Sequence, residues 1–214
     1  MKTGNLSVPA NMNENVRFMI PREVADRSCK TAILMALSCL MLLLGACRST
    51  QPLSDRMESK YSLKKRKTYI SCARPEGLAR CDLPVHVTER EYRNMLESVE
   101  ALKGSKYRYG GSTPEGFDCS GLVQFIYGSS FRMQLPRSSG ELALLGEIVP
   151  HRKLKPGDLV FFASESGIVD HVGIYLGEER FAHASSTEGV CISTLRQRWY
   201  DIRFAFGTSI IDVD

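Results

Sequence analysis

Cys119 stands in EGFDCSGLVQFIYG, residues 115–128, where a turn-rich segment gives way to a helical pattern. Most cysteines are small apolar residues filling a core, and that is one reading of this one. The other is a nucleophile. Thiolate rather than thiol attacks a carbonyl carbon, so a catalytic cysteine needs its pKa lowered from about 8.5 toward neutrality. The first turn of a helix can do this, because its unpaired N–H groups and positive dipole end favour negative charge; the same N–H groups can bind an oxyanion. Ser120 and Gly121 are small, which would let a substrate backbone approach, and the apolar face begins only at Leu122.

The base should be a histidine, and the chain has four. His86 precedes a helix and His151 lies in the loop VPHRKLKPGD, which marks both as surface residues. His171 in HVGIYLG and His183 in RFAHASS fall on two strands of one hairpin. Alternation gives His171, Gly173 and Tyr175 one face, and Phe181, His183 and Ser185 one face of the partner strand. A loop of two or four residues would send the imidazoles to opposite faces, so an odd loop or a G1-type bulge near Gly177 is expected. Gly173 would then leave space between sheet and helix for the thiolate and its substrate. A zinc site with Cys119 competes for the same histidines, but no carboxylate or second cysteine falls at suitable spacing; neither metal nor cofactor is expected. Cys191, in the apolar run GVCISTL, reads as core.

The elements that must position these groups come from periodicity. In TEREYRNMLESVEALKG, Thr88 and Glu91 form a capping box, Tyr92, Leu96, Val99 and Leu102 recur at helical spacing, and Gly104 supplies a stop. Asp118 can cap a second helix that begins near Cys119 and buries Leu122, Val123, Ile126 and Tyr127. A shorter helix fits Ser138–Gly146. From Gly157 onward the period becomes two, and DLVFFA, HVGIYLG, RFAHASS, GVCISTL and RFAFGTS read as short strands joined by brief turns, hence an antiparallel meander. Helices followed by strands predict an α+β domain over residues 88–214, with helices on one side of an antiparallel five- to six-stranded sheet.

The N-terminal part has a different character. TAILMALSCLMLLLGA, residues 31–46, follows Arg22, Arg27 and Lys30 and matches a secretory signal better than a spanning helix. Residues 1–46 are therefore expected to be removed, and the polar preface 1–18 suggests translation from Met19. LGAC, ending at Cys47, resembles the lipobox of bacterial lipoproteins, in which the cysteine becomes the acylated first residue. Several chains there would hold the protein at a membrane, since a buried methylene contributes about 0.8 kcal/mol and a single chain is marginal. Residues 47–87 read as the lipidated cysteine and a tether. Cys72 and Cys81 flank ARPEGLAR and either close a small disulfide loop or stay as thiols. A net charge of +4 is too small and scattered for nucleic acid, and the run KKRK, residues 64–67, reads as solvated linker or a contact to an anionic surface.

The blocks YRYGGSTPEGFDCSGLVQFIY, LPRSS, LKPGDLVFF, HVGIYLG and RFAHASS, in this order, resemble the NlpC/P60 family of papain-like cell-wall peptidases over residues 106–206. The resemblance implies a Cys-His-His triad of Cys119 as nucleophile, His171 as base and His183 as the residue that orients it, resting as an imidazolium–thiolate pair. It implies that Tyr107 brings its hydroxyl beside the site. Asp118, Ser120, Gly121 and Arg137 join Tyr107 as substrate-binding candidates, with Arg137 either meeting a substrate carboxylate or forming a structural ion pair. The expected activity is a lipid-anchored endopeptidase on peptidoglycan stem peptides, cutting the D-γ-glutamyl to diamino acid bond as a monomer in the cell envelope. Arg48, where some Gram-negative lipoproteins carry a retaining aspartate, favours the outer membrane. A thiol acyltransferase or amidase on the same fold, and a wall-binding lipoprotein without activity, are the alternatives.

Overall fold

A computed structural model describes residues 52–214 and, ahead of them, Met35 alone. The signal segment, the Met19 start and Cys47 lie outside the described residues. In chain order the elements are α1 (Leu53–Ser62), β1 (Tyr69–Arg74), β2 (Gly77–Asp82), β3 (Val85–Val87), α2 (Glu89–Leu102), β4 (Ser112–Thr113), β5 (Gly116–Phe117) and α3 (Cys119–Phe131). There follow β6 (Met133–Gln134), α4 (Ser139–Leu142), β7 (Glu147–Val149), β8 (Leu159–Ala163), β9 (Val169–Gly177), β10 (Arg180–Ser185), β11 (Gly189–Thr194), α5 (Arg198–Asp201), β12 (Phe204–Ser209) and β13 (Ile211–Val213). Among the described residues no helix is long and apolar enough to cross a membrane.

The central sheet has six strands in the order β11-β10-β9-β8-β12-β7, and every pairing in it is antiparallel. Strands β8 to β11 run as the expected meander. The last long strand departs from it: β12 returns across the sheet to pair with β8 on the side away from β9. Alternation along the strands gives two apolar faces. One carries Phe161, Val172, Ile174, Ala182, Ala184 and Phe206, and packs with Leu122, Val123 and Ile126 of α3 and Met95 and Val99 of α2. The other carries Val160, Phe162, Tyr175, Phe181 and Phe204, closed by Tyr200 of the one-turn α5.

Each helix that frames the site has a local cause. For α2, the Thr88 side chain accepts from the Glu91 N–H while the Glu91 carboxylate accepts from the Thr88 N–H at 2.9 Å, and Gly104, at φ 81°, ends the helix. For α3, Asp118 is the cap, accepting from the Gly121 N–H at 2.7 Å. Its far end is fixed by Tyr127, fully buried, whose hydroxyl donates to the Gly157 carbonyl at 2.6 Å. The helix expected over 138–146 is a single turn, Ser139–Leu142, capped by Ser138.

The stretch read as tether is ordered from Leu53 onward, which corrects that expectation. Met57 and Tyr61 of α1 are buried, the Tyr61 ring lying 4.9 Å from that of Phe206 on β12, and the Lys60 ammonium donates to the Gly167 carbonyl at 3.0 Å. Strands β1 and β2 form a hairpin closed by the Cys72–Cys81 disulfide. Within KKRK, Arg66 is a clamp, not solvated linker: its guanidinium donates to the carbonyls of Ala143, Leu145 and Gly146 just beyond α4. A short apolar residue every third or fourth position was too sparse here to signal a packed helix, because α1 buries only its Met57–Tyr61 edge.

Candidate active site

Two strand irregularities bring the site together. The β9–β10 turn is Glu178-Glu179, both at positive φ (53° and 63°), which is the two-residue loop of a twisted hairpin. The register then slips: Arg180 faces Gly177 but Phe181 faces Tyr175, so β9 carries the expected bulge beside Gly177. His171 and His183 consequently share a face. A second bulge lies at the other end of β9, where Phe162 faces His171 but Ala163 faces Val169, and Asp170 is the extra residue.

His171 Nε2 lies 3.0 Å from His183 Nδ1, with the rings at 87°. His183 is 1% exposed and stacks on the Phe181 ring at 4.8 Å between centroids. Gly173 does not leave room for substrate as expected: a Cβ there would stand 2.6 Å from the Phe181 ring, so the space it frees is taken by the floor under His183. Cys119 is the first residue of α3 and lies against β9. Its Sγ lies 4.0 Å from the Asp170 carbonyl and within the influence of the Val172 N–H, so the sulfur sits against β9 on both sides of His171. Cys119, His171, His183 and Tyr107 line one cleft of about 380 Å³, with Trp199 and Tyr200 of α5 forming its far wall. A second cleft, over Tyr109, Gly110, Ser120, Arg137 and Ser138, meets the first at Tyr107, Cys119 and Asp170. The nucleophile candidate therefore stands where two grooves join.

Electrostatics set the resting state. Burial pushes the Cys119 thiol up, and the Asp118 charge adds to this; the N–H groups of Val172, Ser120 and Cys119 itself oppose it and do not win. Burial also lowers His171 to about 4, with Arg203 adding to the drop and Asp170 opposing it, and lowers His183 to about 3, with His171 adding to it. Taken one group at a time, both shifts favour the uncharged forms, thiol and neutral imidazole, over the imidazolium–thiolate pair that the family resemblance implies. The helix-end N–H groups act in the anticipated direction; the desolvation of a sulfur tucked against a strand is the larger effect.

The substrate-binding candidates separate. Tyr107 lies on both clefts, its hydroxyl pKa raised by burial and then by Cys119. Arg137 forms a bidentate pair with Asp118 (2.9 and 2.7 Å) and also donates to Ser120 Oγ at 2.9 Å and the Gly111 carbonyl at 3.2 Å. Burial alone would raise the Asp118 carboxyl, yet Arg137 and the N–H groups of Gly121 and Gly110 hold it below its ordinary value. Its two oxygens are occupied by these donors and by Ser120. Asp118, Ser120 and Arg137 hence form an internal brace for the start of α3, although they edge the second cleft. Gly121 is corrected outright: a Cβ on it would meet the Gly111 carbonyl oxygen at 2.0 Å, so its smallness serves loop-to-helix contact and not substrate. Among the described residues no cluster of histidine, cysteine and acidic groups could hold a metal ion.

Several residues of the site went unread in the sequence. Trp199 presents its ring edge to His171 at 6.5 Å and carries Arg203 stacked 4.6 Å over it, while Arg203 pairs with Asp170 at 2.8 Å. Cys191, read as core, is half-buried with its Sγ 3.5 Å from His183 Nε2. The available signal was strand alternation, which gives Cys191 and Ser193 one face, and the chain's lone tryptophan in the connection RQRWYD.

A family model described as NlpC/P60 family matches residues 104–207. The chain is 37% identical over 131 residues to the murein DD-endopeptidase MepS/murein LD-carboxypeptidase of Escherichia coli K12, covering 56% of this chain and 69% of that protein. It is 40% identical over 137 residues to the gamma-DL-glutamyl hydrolase of Bacillus subtilis 168, covering 62% of this chain and 30% of the relative. Among solved structures, an NlpC/P60 family protein from Bacillus cereus ATCC 10987 superposes with a TM-score of 0.54 at 25% identity, over 70% of this chain and 53% of that one.

Proposed function

We propose that this chain, which belongs to the NlpC/P60 family and is by that membership a peptidoglycan endopeptidase, works as a cysteine peptidase through Cys119, His171 and His183. The observation that carries the reading is the 3.0 Å contact between His171 Nε2 and His183 Nδ1 beside a cleft shared with Cys119. With Nε2 directed at His183, the nitrogen of His171 left for proton transfer is Nδ1. From a thiol and a neutral imidazole, the Cys119 proton passes to His171 Nδ1 as Sγ forms a bond to the substrate carbonyl carbon. The Cys119 N–H at the start of α3 and the Tyr107 hydroxyl would stabilise the developing oxyanion. His171 then returns the proton to the leaving amine as the carbon–nitrogen bond breaks, and water, deprotonated by His171, releases the acyl group.

The substrate bond we propose is the amide joining D-γ-glutamyl to the diamino acid of the stem peptide; the name of the Bacillus relative shares with it the γ-glutamyl linkage alone. Mass spectrometry of muropeptides after digestion tests it. Fragments ending in D-glutamate support the assignment; loss of cross-links or of terminal residues alone, as the name of the Escherichia coli relative describes, replaces it. An unchanged digest with Cys119→Ala present in place of the parent chain would sink the cysteine mechanism. We further propose acylation of Cys47 and placement at the outer membrane, supported by LGAC and by Arg48. Labelling with a clickable fatty acid, lost in Cys47→Ala together with membrane fractionation, is the expected result.

A further inference from the structure

His183 is held on both sides. Its Nδ1 meets His171, and its Nε2 meets three groups: Tyr200 Oη at 3.1 Å, Ser193 Oγ at 3.0 Å and Cys191 Sγ at 3.5 Å. Tyr200 is 8% exposed and anchored by edge contacts to Phe181 and His183 and a tilted contact to Phe162, so its hydroxyl has little freedom to turn away.

A neutral imidazole has one N–H, and its position is set by what the other nitrogen meets. If His171 is to receive a proton at Nδ1, its own N–H must be on Nε2 and donate to His183 Nδ1. His183 must then carry its proton on Nε2, which is buried and needs an acceptor. Tyr200 and Ser193 supply oxygen lone pairs there, whereas the Cys191 sulfur is a weak acceptor. In the reverse arrangement His183 Nδ1 donates to His171, and the proton then sits on His171 Nδ1, the atom that must accept from Cys119.

We propose that Tyr200 and Ser193 are positioning residues that hold His183, and through it His171, in the tautomer competent to take the proton of Cys119. The inference rests on the cysteine-peptidase reading above and extends the relay outward by one shell of hydroxyls, from α5 and β11 to the nucleophile on α3. Both act on the nucleophile through His183 and His171, and Tyr200→Phe keeps the ring that walls the cleft, so turnover rather than substrate capture should respond. Cys191, lying beside them, cannot substitute.

Nitrogen-15 correlation spectra of the imidazoles, recorded near neutral pH on the chain without substrate, read the tautomers directly. Protons on Nε2 of both His171 and His183 are expected in the wild-type chain, and a mixture in Tyr200→Phe/Ser193→Ala. In muropeptide assays the double variant should lose about 10-fold or more in kcat, the scale of a misplaced general base, with KM little changed. Each single variant should lose less, and Ser193→Thr, which keeps the hydroxyl, should retain parental kcat. His183 protonated on Nδ1 in the wild-type chain, or a double variant with parental tautomers and kcat, overturns the proposal. Should the double variant fail to fold by circular dichroism, the wild-type spectra and the single variants carry the same test. An active Cys119→Ala would instead defeat the peptidase reading while leaving the spectral result standing, so the two failures are distinguishable.

Discussion

The His171 and His183 rings meet edge to face, nitrogen to nitrogen at 3.0 Å, across two neighbouring strands whose register slips once between the turn and the contact. Without that slip the two side chains would point to opposite faces of the sheet. In the mechanism proposed above, the orientation of His171 depends on this second imidazole accepting its N–H.

His183→Ala should therefore lower kcat by about 10²–10⁴-fold, the range seen when a base loses its orienting partner. His183→Gln, whose amide oxygen can accept from His171 Nε2, should recover part of the loss. Steady-state rates on soluble muropeptides check both.

The pH dependence follows from the buried pair. His171 is neutral above about 4, so kcat/KM should rise as pH increases through that value and then level off. Because the Cys119 thiol is pushed up, alkylation by iodoacetamide should be slow at neutrality and accelerate in alkaline buffer. A rapid alkylation already saturated at pH 6 would contradict this resting state.

Stability has its own pH window. His171 drops from an ordinary 6.5 to about 4 on folding, so the unfolded chain binds more protons between these values. The contribution of the neutral imidazole is complete above 6.5 and is lost as pH falls toward 4. Thermal melts at pH 7, 5.5 and 4 should show a declining midpoint, with His171→Gln reducing the slope and His183, lowered to about 3, supplying the remainder.

Gly121→Ala places a methyl group 2.0 Å from the Gly111 carbonyl oxygen, and should destabilise the fold by about 3 kcal/mol, the upper end for forced overpacking. Arg137→Ala removes charged donors from the nearly buried Asp118 and should cost about 2 kcal/mol. Arg137→Lys should not restore it, since one ammonium cannot replace the bidentate fork. Urea titrations measure all three; an Arg137 variant of parental stability but raised KM would instead mark Arg137 as a substrate contact.

Reduction of Cys72–Cys81, or its replacement by alanines, should lower stability by about 2–3 kcal/mol, as for a loop of this size, without loss of turnover at 25 °C. Melting with and without reductant checks it.

Much of the frame was legible because local rules and tertiary packing agree in it. Thr88 with Glu91, Asp118 before Cys119, and the period-two runs from Gly157 each specify their element with nearby residues. The hairpin bulge followed from requiring two histidines on one face. What stayed hidden depends on contacts distant in sequence. Met57 and Tyr61 become core only because β12 returns to meet them, and Arg66 becomes a clamp only beside the carbonyls of 143–146. The same holds for Gly121 and Gly173, whose small size is explained by Gly111 and Phe181 and not by substrate. The resting charge state of Cys119 was also out of reach, since a sequence shows a helix start but not how deeply the sulfur is desolvated.

The docking of α1 against Tyr61's partner strand has a consequence for reach. With Leu53 already fastened to the catalytic body, an acylated Cys47 would leave six peptide units between bilayer and enzyme, at most about 20 Å of extended chain. On so short a leash the enzyme would patrol only the layer of wall nearest its own membrane, and lengthening that leash by inserted residues would widen its territory without altering a single active-site atom.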